Sequence, residues 1–297
     1  MNAEHQVISD SPEYRASDLR CQAIPEPPLF GRLIFHLLPL RRGTIMRNIR
    51  RAFDGRLTDS QTVRLAQAAY GHMARSIAEV LASSTMSAGE GDWRVRVENV
   101  EAALRAASKG NGVLILTGHL GNWELALPAA IAAFPEWQGR IHIVRKTLPW
   151  PLDSLLRRRF DRAGIIVIPS RGAARSVVRL LRRGDAVIFV MDQHAGGSDG
   201  IVAEFMGAPA YTFRSLAVLA LATGALVVPG ATYREPDGRH VVRFEEALPT
   251  IRTGHLENDI LLNTRMYNRT LEELIYRHPE QWFWMHRRWK DAHGRPL

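Results

Sequence analysis

A chain of 297 residues, 46% hydrophobic and 23% charged, is long enough to bury a full core and too apolar to stay disordered. Of its 39 basic residues only Lys109, Lys146 and Lys290 are lysine. The rest are arginine, and the net charge of +9 at pH 7 calls for an anionic partner: nucleic acid, an anionic membrane surface or a phosphorylated substrate. The single cysteine, Cys21, excludes an internal disulfide framework and an all-cysteine metal site, as expected of an intracellular chain.

Residues 1–27 carry Glu4, Asp10, Glu13, Arg15, Asp18 and Arg20 around no apolar core, so they read as a flexible polar tail rather than a secretory signal. Residues 28–297 are expected to form one domain, with a helical N-terminal part (28–108) and an α/β core (109–297). Within the first part, LFGRLIFHLLPLRRG (29–43) is apolar, too short to cross a bilayer, and suits either lying on one or packing as an amphipathic helix. A helix is predicted over 59–81, with Asp59 or Ser60 as cap and Val63, Ala66, Tyr70, Met73, Ile77 and Val80 as its apolar stripe. No strand signal stands out between 28 and 108.

After Gly110 short β-branched runs alternate with helical segments: VLILT (113–117), IHIV (141–144), IIVIP (165–169), AVIFVM (186–191) and ALVVPGAT (225–232). That alternation predicts an α/β fold, a mostly parallel central sheet flanked by helices. The uncharged stretch from Ser215 to Tyr233 approaches a membrane span in length, but Gly224 and Pro229 divide it into a helix and a buried strand. A polar hairpin at 234–240, a strand VVRF and a helix from Glu257 to His278 complete the prediction.

Chemistry concentrates where the first core strand ends. His119 lies in a glycine-rich turn after VLILT, at the carboxyl end of a strand, where ligands bind in open α/β sheets. Glu124 follows five residues on. Two helical residues at that spacing point about 140° apart, so the pair can meet only across a turn, which Gly118 and Gly121 permit. A carboxylate on one imidazole nitrogen leaves the other as a general base. No serine or cysteine occupies the turn, which disfavours a nucleophile-elbow hydrolase. The nucleophile is then expected to be a substrate hydroxyl, and the reaction a direct transfer.

TGHLGNWELA (117–126), MDQH (191–194) and PEQWFWMHRRWK (279–290), in that order, resemble the late acyltransferases of lipid A biosynthesis, within the lysophospholipid acyltransferase superfamily. The similarity runs from about residue 28 to 290. It implies an O-acyltransferase in which His119, with Glu124, serves as base on an acceptor hydroxyl attacking an acyl thioester carried by acyl carrier protein or coenzyme A. The implied acceptor is a lipid A-type glycolipid; a lysophospholipid, a mannosyl lipid or another amphiphile would take the same chemistry. The implied location is peripheral, on the cytoplasmic face of the inner membrane. Three departures stand out: the only N-terminal apolar stretch is short, VRKTLPWP keeps only Arg145 of the family's tyrosine-arginine-proline-asparagine pattern, and the arginine before the third strand aligns with either Arg159 or Arg162.

Asp192, Gln193 and His194 follow the strand AVIFVM and are expected to line the same crevice; with Asn122, Arg145, Arg159 and Arg162 they form the candidate substrate-binding set. His119, Asp192 and His194 make no ligand cluster, so neither a metal nor a cofactor beyond the acyl donor is expected. Arg171, Arg175, Arg179 and Arg182 share one helical face, fit for solvent, anionic lipid or an acidic carrier protein. Trp282, Trp284 and Trp289 suit a membrane interface or a packed core equally. The arginine excess also raises a nucleic-acid-binding class, set aside because the charges are dispersed and no binding motif is present.

Overall fold

The computed structural model describes residues 24–38, 40–83, 95–132, 134–146 and 152–290, so most of the expected 1–27 tail lies outside the described residues. Seven strands form one sheet: β1 (Val95–Glu98), β2 (Val113–Thr117), β3 (Ile141–Arg145), β4 (Ile165–Pro169), β5 (Ala186–Val190), β8 (Leu226–Arg234) and β9 (His240–Phe244), in the order β1-β9-β8-β2-β5-β3-β4. Five run parallel, and β9 with its parallel neighbour β1 runs against them at one edge. β6 (Gly200–Phe205) and β7 (Ala208–Phe213) make a separate antiparallel hairpin.

Alternate side chains of the central strands enter opposite layers, as the pleat requires. Leu114 and Leu116 of β2, with Val187 and Phe189 of β5, join the larger core beneath α2 (Arg42–Phe53), α3 (Asp59–Ser83), α7 (Ala173–Arg182), α8 (Ser215–Thr223) and α9 (Leu256–Arg277). Val113, Ile115, Ala186 and Ile188 face the smaller core under α4 (Val100–Ala107), α5 (Trp123–Ala132) and α6 (Leu152–Arg162). Covering both faces accounts for the unbroken apolar runs that announce these strands in the sequence.

α1 (Leu29–Leu37) lies along α3. The helices touch at Gly31 and Gly71, where a β-carbon on Gly31 would stand 2.6 Å from the Gln67 carbonyl oxygen. Gly31 and Phe35 are buried there, whereas Leu29, Leu33 and Leu37 remain exposed. Of the two predicted roles for this segment, packing takes one face and leaves the other unpartnered among the described residues.

Three features differ from the sequence-based expectation. The 28–108 region contains a strand, β1, whose VRVE alternation is only four residues long and is completed by β9 rather than by local contacts. The α3 cap is Thr58, not Asp59 or Ser60: its hydroxyl accepts the Gln61 backbone N–H (3.2 Å) while the Gln61 side-chain Oε1 accepts the Thr58 N–H (2.9 Å), a reciprocal capping box. The hairpin carries no Asn-Gly signal because its turn is Met206-Gly207, with φ of 50° and 72°. Buried Met206 donates its N–H to Glu272 of α9 (2.8 Å), so a tertiary contact holds the turn.

Candidate active site

β2 and β5 are parallel neighbours with Thr117 opposite Val190, so the residues just beyond them arrive at the same level. The ladder continues through the Met191 N–H to the Thr117 carbonyl (2.9 Å) and delivers Asp192 beside His119. The Asp192 carboxylate takes the His119 backbone N–H on Oδ2 (2.6 Å) and faces the ring Nδ1 with Oδ1 (2.8 Å). The Trp282 indole N–H also donates to Oδ2 (2.7 Å). A β-carbon on Gly118 would come within 3.0 Å of that carboxylate, which explains the glycine before the histidine.

The turn is held from several sides. Thr232 of β8 donates its hydroxyl to the Leu120 carbonyl (2.6 Å), Gly121 N–H donates to the Gln281 carbonyl (3.0 Å), and Phe283 N–H donates to the His119 carbonyl (3.0 Å). Gly121 has φ of 66°, and a β-carbon there would stand 2.3 Å from the Thr232 carbonyl oxygen, so only glycine fits.

Burial would push the Asp192 carboxyl up, but the His119 charge, the His119 and Trp282 N–H groups and the backbone amide together hold it down at about 2. Burial opposes charge on His119, yet Asp192, by charge and hydrogen bond, and Glu124, by charge, raise its pKa above the ordinary histidine value. With Nδ1–H directed to Asp192, Nε2 is the free base nitrogen, 3.2 Å from the Gln193 amide nitrogen. Nearby His286 is lowered to about 4, chiefly by burial, and as a neutral ring accepts the His194 backbone N–H on Nε2 (3.0 Å).

The hydrogen bond expected from Glu124 to the imidazole is thus made by Asp192, because adjacent strand ends meet more directly than a strand end and the first turn of the following helix. Glu124 still acts on His119 through charge. Its own carboxyl is raised by burial, an effect opposed by His119, Arg159 and Arg145. Arg145 is tied to Asp153 (2.8 Å), and Arg159 donates to the Val80 carbonyl of α3 (3.0 Å). Of the two arginines left open by the sequence, Arg159 approaches Glu124, while Arg162 is exposed. Asn122 departs from its expected place: it is buried, and its amide points away from the crevice to Ser76 and Glu79 of α3 (3.2 and 3.0 Å).

Next to this turn an apolar cavity of about 110 Å³ runs between the sheet and α4 and α5. Thr117, Val190, Trp123 and Thr232 line it beside the His119 turn, and Val113, Ile141, Ala186 and Trp137 line it toward the strand beginnings. Trp123 also meets His119 edge-on, ring centres 6.0 Å apart.

A model of the bacterial lipid A biosynthesis acyltransferase family matches residues 28–291. The chain belongs to that family. Relatives include the lipid A biosynthesis palmitoleoyltransferase of Escherichia coli (strain K12) and a lipid A biosynthesis acyltransferase of Shigella flexneri, each 27% identical over 225 residues, 73% of this chain and 69% of the relative. The lipid A biosynthesis lauroyltransferase of Escherichia coli (strain K12) is 28% identical over 120 residues, 39% of this chain and 37% of the relative.

In this acyltransferase the three sequence motifs converge on one site: TGHLGNWELA gives the turn, MDQH the carboxylate, and PEQWFWMHRRWK the strap across both. The strap's tryptophans, which the sequence left between interface and core, are core: Trp282, Trp284 and Trp289 are all buried, whereas Phe283 is exposed, 6.1 Å from the His119 ring. Trp282 as a donor to Asp192, and Thr232 and Gln281 as clamps on the turn, carry no local sequence signal, because each acts from a distant element. Of the arginine stripe, Arg175, Arg179 and Arg182 lie on the exposed side of α7, opposite buried Val177 and Leu181, whereas Arg171 falls in the turn before the helix.

Proposed function

We propose that this enzyme moves a fatty acyl chain from a thioester on acyl carrier protein or coenzyme A to a hydroxyl of a lipid A-type glycolipid. His119 Nε2 takes the hydroxyl proton as the oxygen attacks the thioester carbonyl; the tetrahedral intermediate then expels the thiolate, which receives that proton, leaving an ester and a free thiol. Asp192 fixes the Nδ1–H tautomer and stabilises the imidazolium, and Glu124 adds a second negative charge toward it. Gln193 gives up its contact with Nε2 when the acceptor enters. Arg145 and Arg159 keep positive charge at Glu124, on the side where an anionic headgroup approaches.

The observation that carries this reading is an oriented imidazole beside an apolar cavity, with Trp123 touching both, since a fatty acyl thioester needs both. Among the described residues no helix is long and apolar enough to cross a membrane. The exposed apolar side of α1, followed in the chain by Arg41 and Arg42, suits docking on the anionic surface where such an acceptor lies.

The test is incubation with labelled acyl carrier protein thioesters or coenzyme A thioesters and a lipid extract, followed by mass spectrometry. An acylated glycolipid is the expected product. An acylated lysophospholipid or mannosyl lipid would reassign the acceptor, and no lipid product with either donor would overturn the reading.

A further inference from the structure

Behind the His119 turn, away from the crevice, lies a partly buried ionic cluster that the mechanism does not use. Its centre is Glu79, in the C-terminal part of α3. Glu79 Oε2 accepts from the Asn122 amide (3.0 Å) and the Arg234 guanidinium and lies 3.2 Å from His240 Nε2; Oε1 accepts from Arg75 (3.1 Å). Arg234 is buried at the end of β8, contacts His72 Nδ1 (3.1 Å) and donates to the Ser76 hydroxyl (3.3 Å). Its backbone is clamped by the Gln281 side chain, which accepts the Arg234 N–H (2.7 Å) and donates to its carbonyl (2.8 Å). The Gln281 carbonyl holds Gly121 of the catalytic turn.

One carboxylate therefore gathers groups from α3, β8, β9 and the turn. Buried ion pairs add little net stability over apolar packing, so such an arrangement is better explained by the geometry it imposes. The element it fixes is the start of α5. The Asn122 carbonyl accepts the Leu125 and Ala126 N–H groups (3.1 and 2.9 Å), which makes Asn122 the first residue of that helix's hydrogen-bond ladder. Its side chain has no contact with the crevice, yet the next two residues are Trp123, on the cavity wall and against the imidazole, and Glu124, whose charge acts on His119. Rotating Asn122 would turn both.

We propose that Glu79 is a positioning residue: through Asn122 it sets the phase of α5, and so the placement of Trp123 and Glu124 against His119. The link to turnover rests on His119 being the base; the link to the turn does not.

The Asn122→Ala variant breaks the connection while leaving the Glu79–Arg234 pair in place, and so keeps the inference testable if Glu79→Ala fails to fold. Expected results are a kcat at least about tenfold lower with the thioester KM within about twofold of the parent, and faster amide hydrogen exchange in residues 118–125 with unchanged exchange in the first half of α3. Glu79→Ala should lose a similar factor, Glu79→Gln should regain part of it, and the Glu79→Ala/Asn122→Ala pair should lose no more than the worse single change. Multiplying losses, or an Asn122→Ala protein with parental exchange and turnover, would overturn the proposal. Faster exchange in Asn122→Ala, combined with a parent chain that transfers no acyl group to any acceptor, would sink the catalytic reading and leave the lock standing.

Discussion

A histidine can serve as a base when one ring nitrogen is committed to a fixed acceptor, and His119 has such an acceptor, Asp192, beyond the end of the neighbouring strand. His119→Ala should lower acyl transfer by at least about a hundredfold while leaving the far-ultraviolet circular dichroism unchanged, because the ring is an end-of-strand side chain and not a core residue. Turnover near the parental level would remove His119 from the mechanism. Its pKa is raised, so the neutral, active form appears only above the usual histidine range: kcat/KM should climb with pH to a plateau reached later than for an isolated imidazole. Asp192→Asn removes the first charge that raises it. That variant should lose rate by a similar order and move the acid limb of the profile to lower pH; an unmoved limb would mean that Asp192 does not face the base in solution. His119 and Glu124 were legible because they lie in one short motif. The His119–Asp192 hydrogen bond was not, since 73 residues separate the two and only the pairing of β2 with β5 brings them level.

At the scale of elements, the strands that read clearly are those buried on both faces, where an unbroken apolar run has no other explanation; β2 and β4 match their predicted bounds. Elements defined by partners did not read: β1 needs β9, and the β6–β7 hairpin needs α9. The hairpin has a measurable consequence. Burial raises the Glu272 carboxyl to about 7, so the folded chain binds that proton more tightly than the unfolded chain, where the group titrates near 4.5. Stability from this group is then lost as pH rises from about 4.5 to about 7. Glu272→Gln keeps a carbonyl for the Met206 N–H without the buried charge, and should raise the melting temperature at pH 8 by a few degrees, on the order of 1–3 kcal/mol, with little change at pH 4. An equal gain at both pH values would show that the charge is not the cause. The cavity between α4, α5 and the sheet allows a second measurement. Trp137 stands at its far end from the catalytic turn, with the Arg140 guanidinium 5.2 Å from the ring centre. Trp137→Ala should shift donor preference in a mixed-thioester competition toward longer chains, and an unchanged preference would place the acyl chain elsewhere.

Across the whole molecule, apolar and basic surface are segregated. α7 exposes Arg175, Arg179 and Arg182, with Arg171 in the turn before it and no large apolar side chain among them, whereas α1 exposes Leu29, Phe30, Leu33 and Leu37 on the side turned from α3. An exclusively charged face binds by long-range attraction that salt removes; an apolar helix face with adjacent arginines binds by burial as well, which salt does not remove. The composition, with its net charge of +9, could say only that an anionic partner was expected. The exposed apolar face of α1 is the proposed site of the apolar share of that expectation. Inserting a leucine side chain into the headgroup boundary contributes about 1.5–3 kcal/mol, so replacing two of them with glutamate removes at least about 3 kcal/mol before repulsion from anionic lipid is counted. The Leu33→Glu/Leu37→Glu variant should therefore bind vesicles of anionic phospholipid at least about a hundredfold more weakly than the parent in a sedimentation assay, both at low and at high salt. The Arg175→Glu/Arg179→Glu variant should differ from the parent at low salt only. Turnover on a detergent-solubilised acceptor should survive the α1 changes, because α1 contributes no side chain to the His119 turn. Equal vesicle binding by the parent and the α1 variant would mean that this face is not the docking surface.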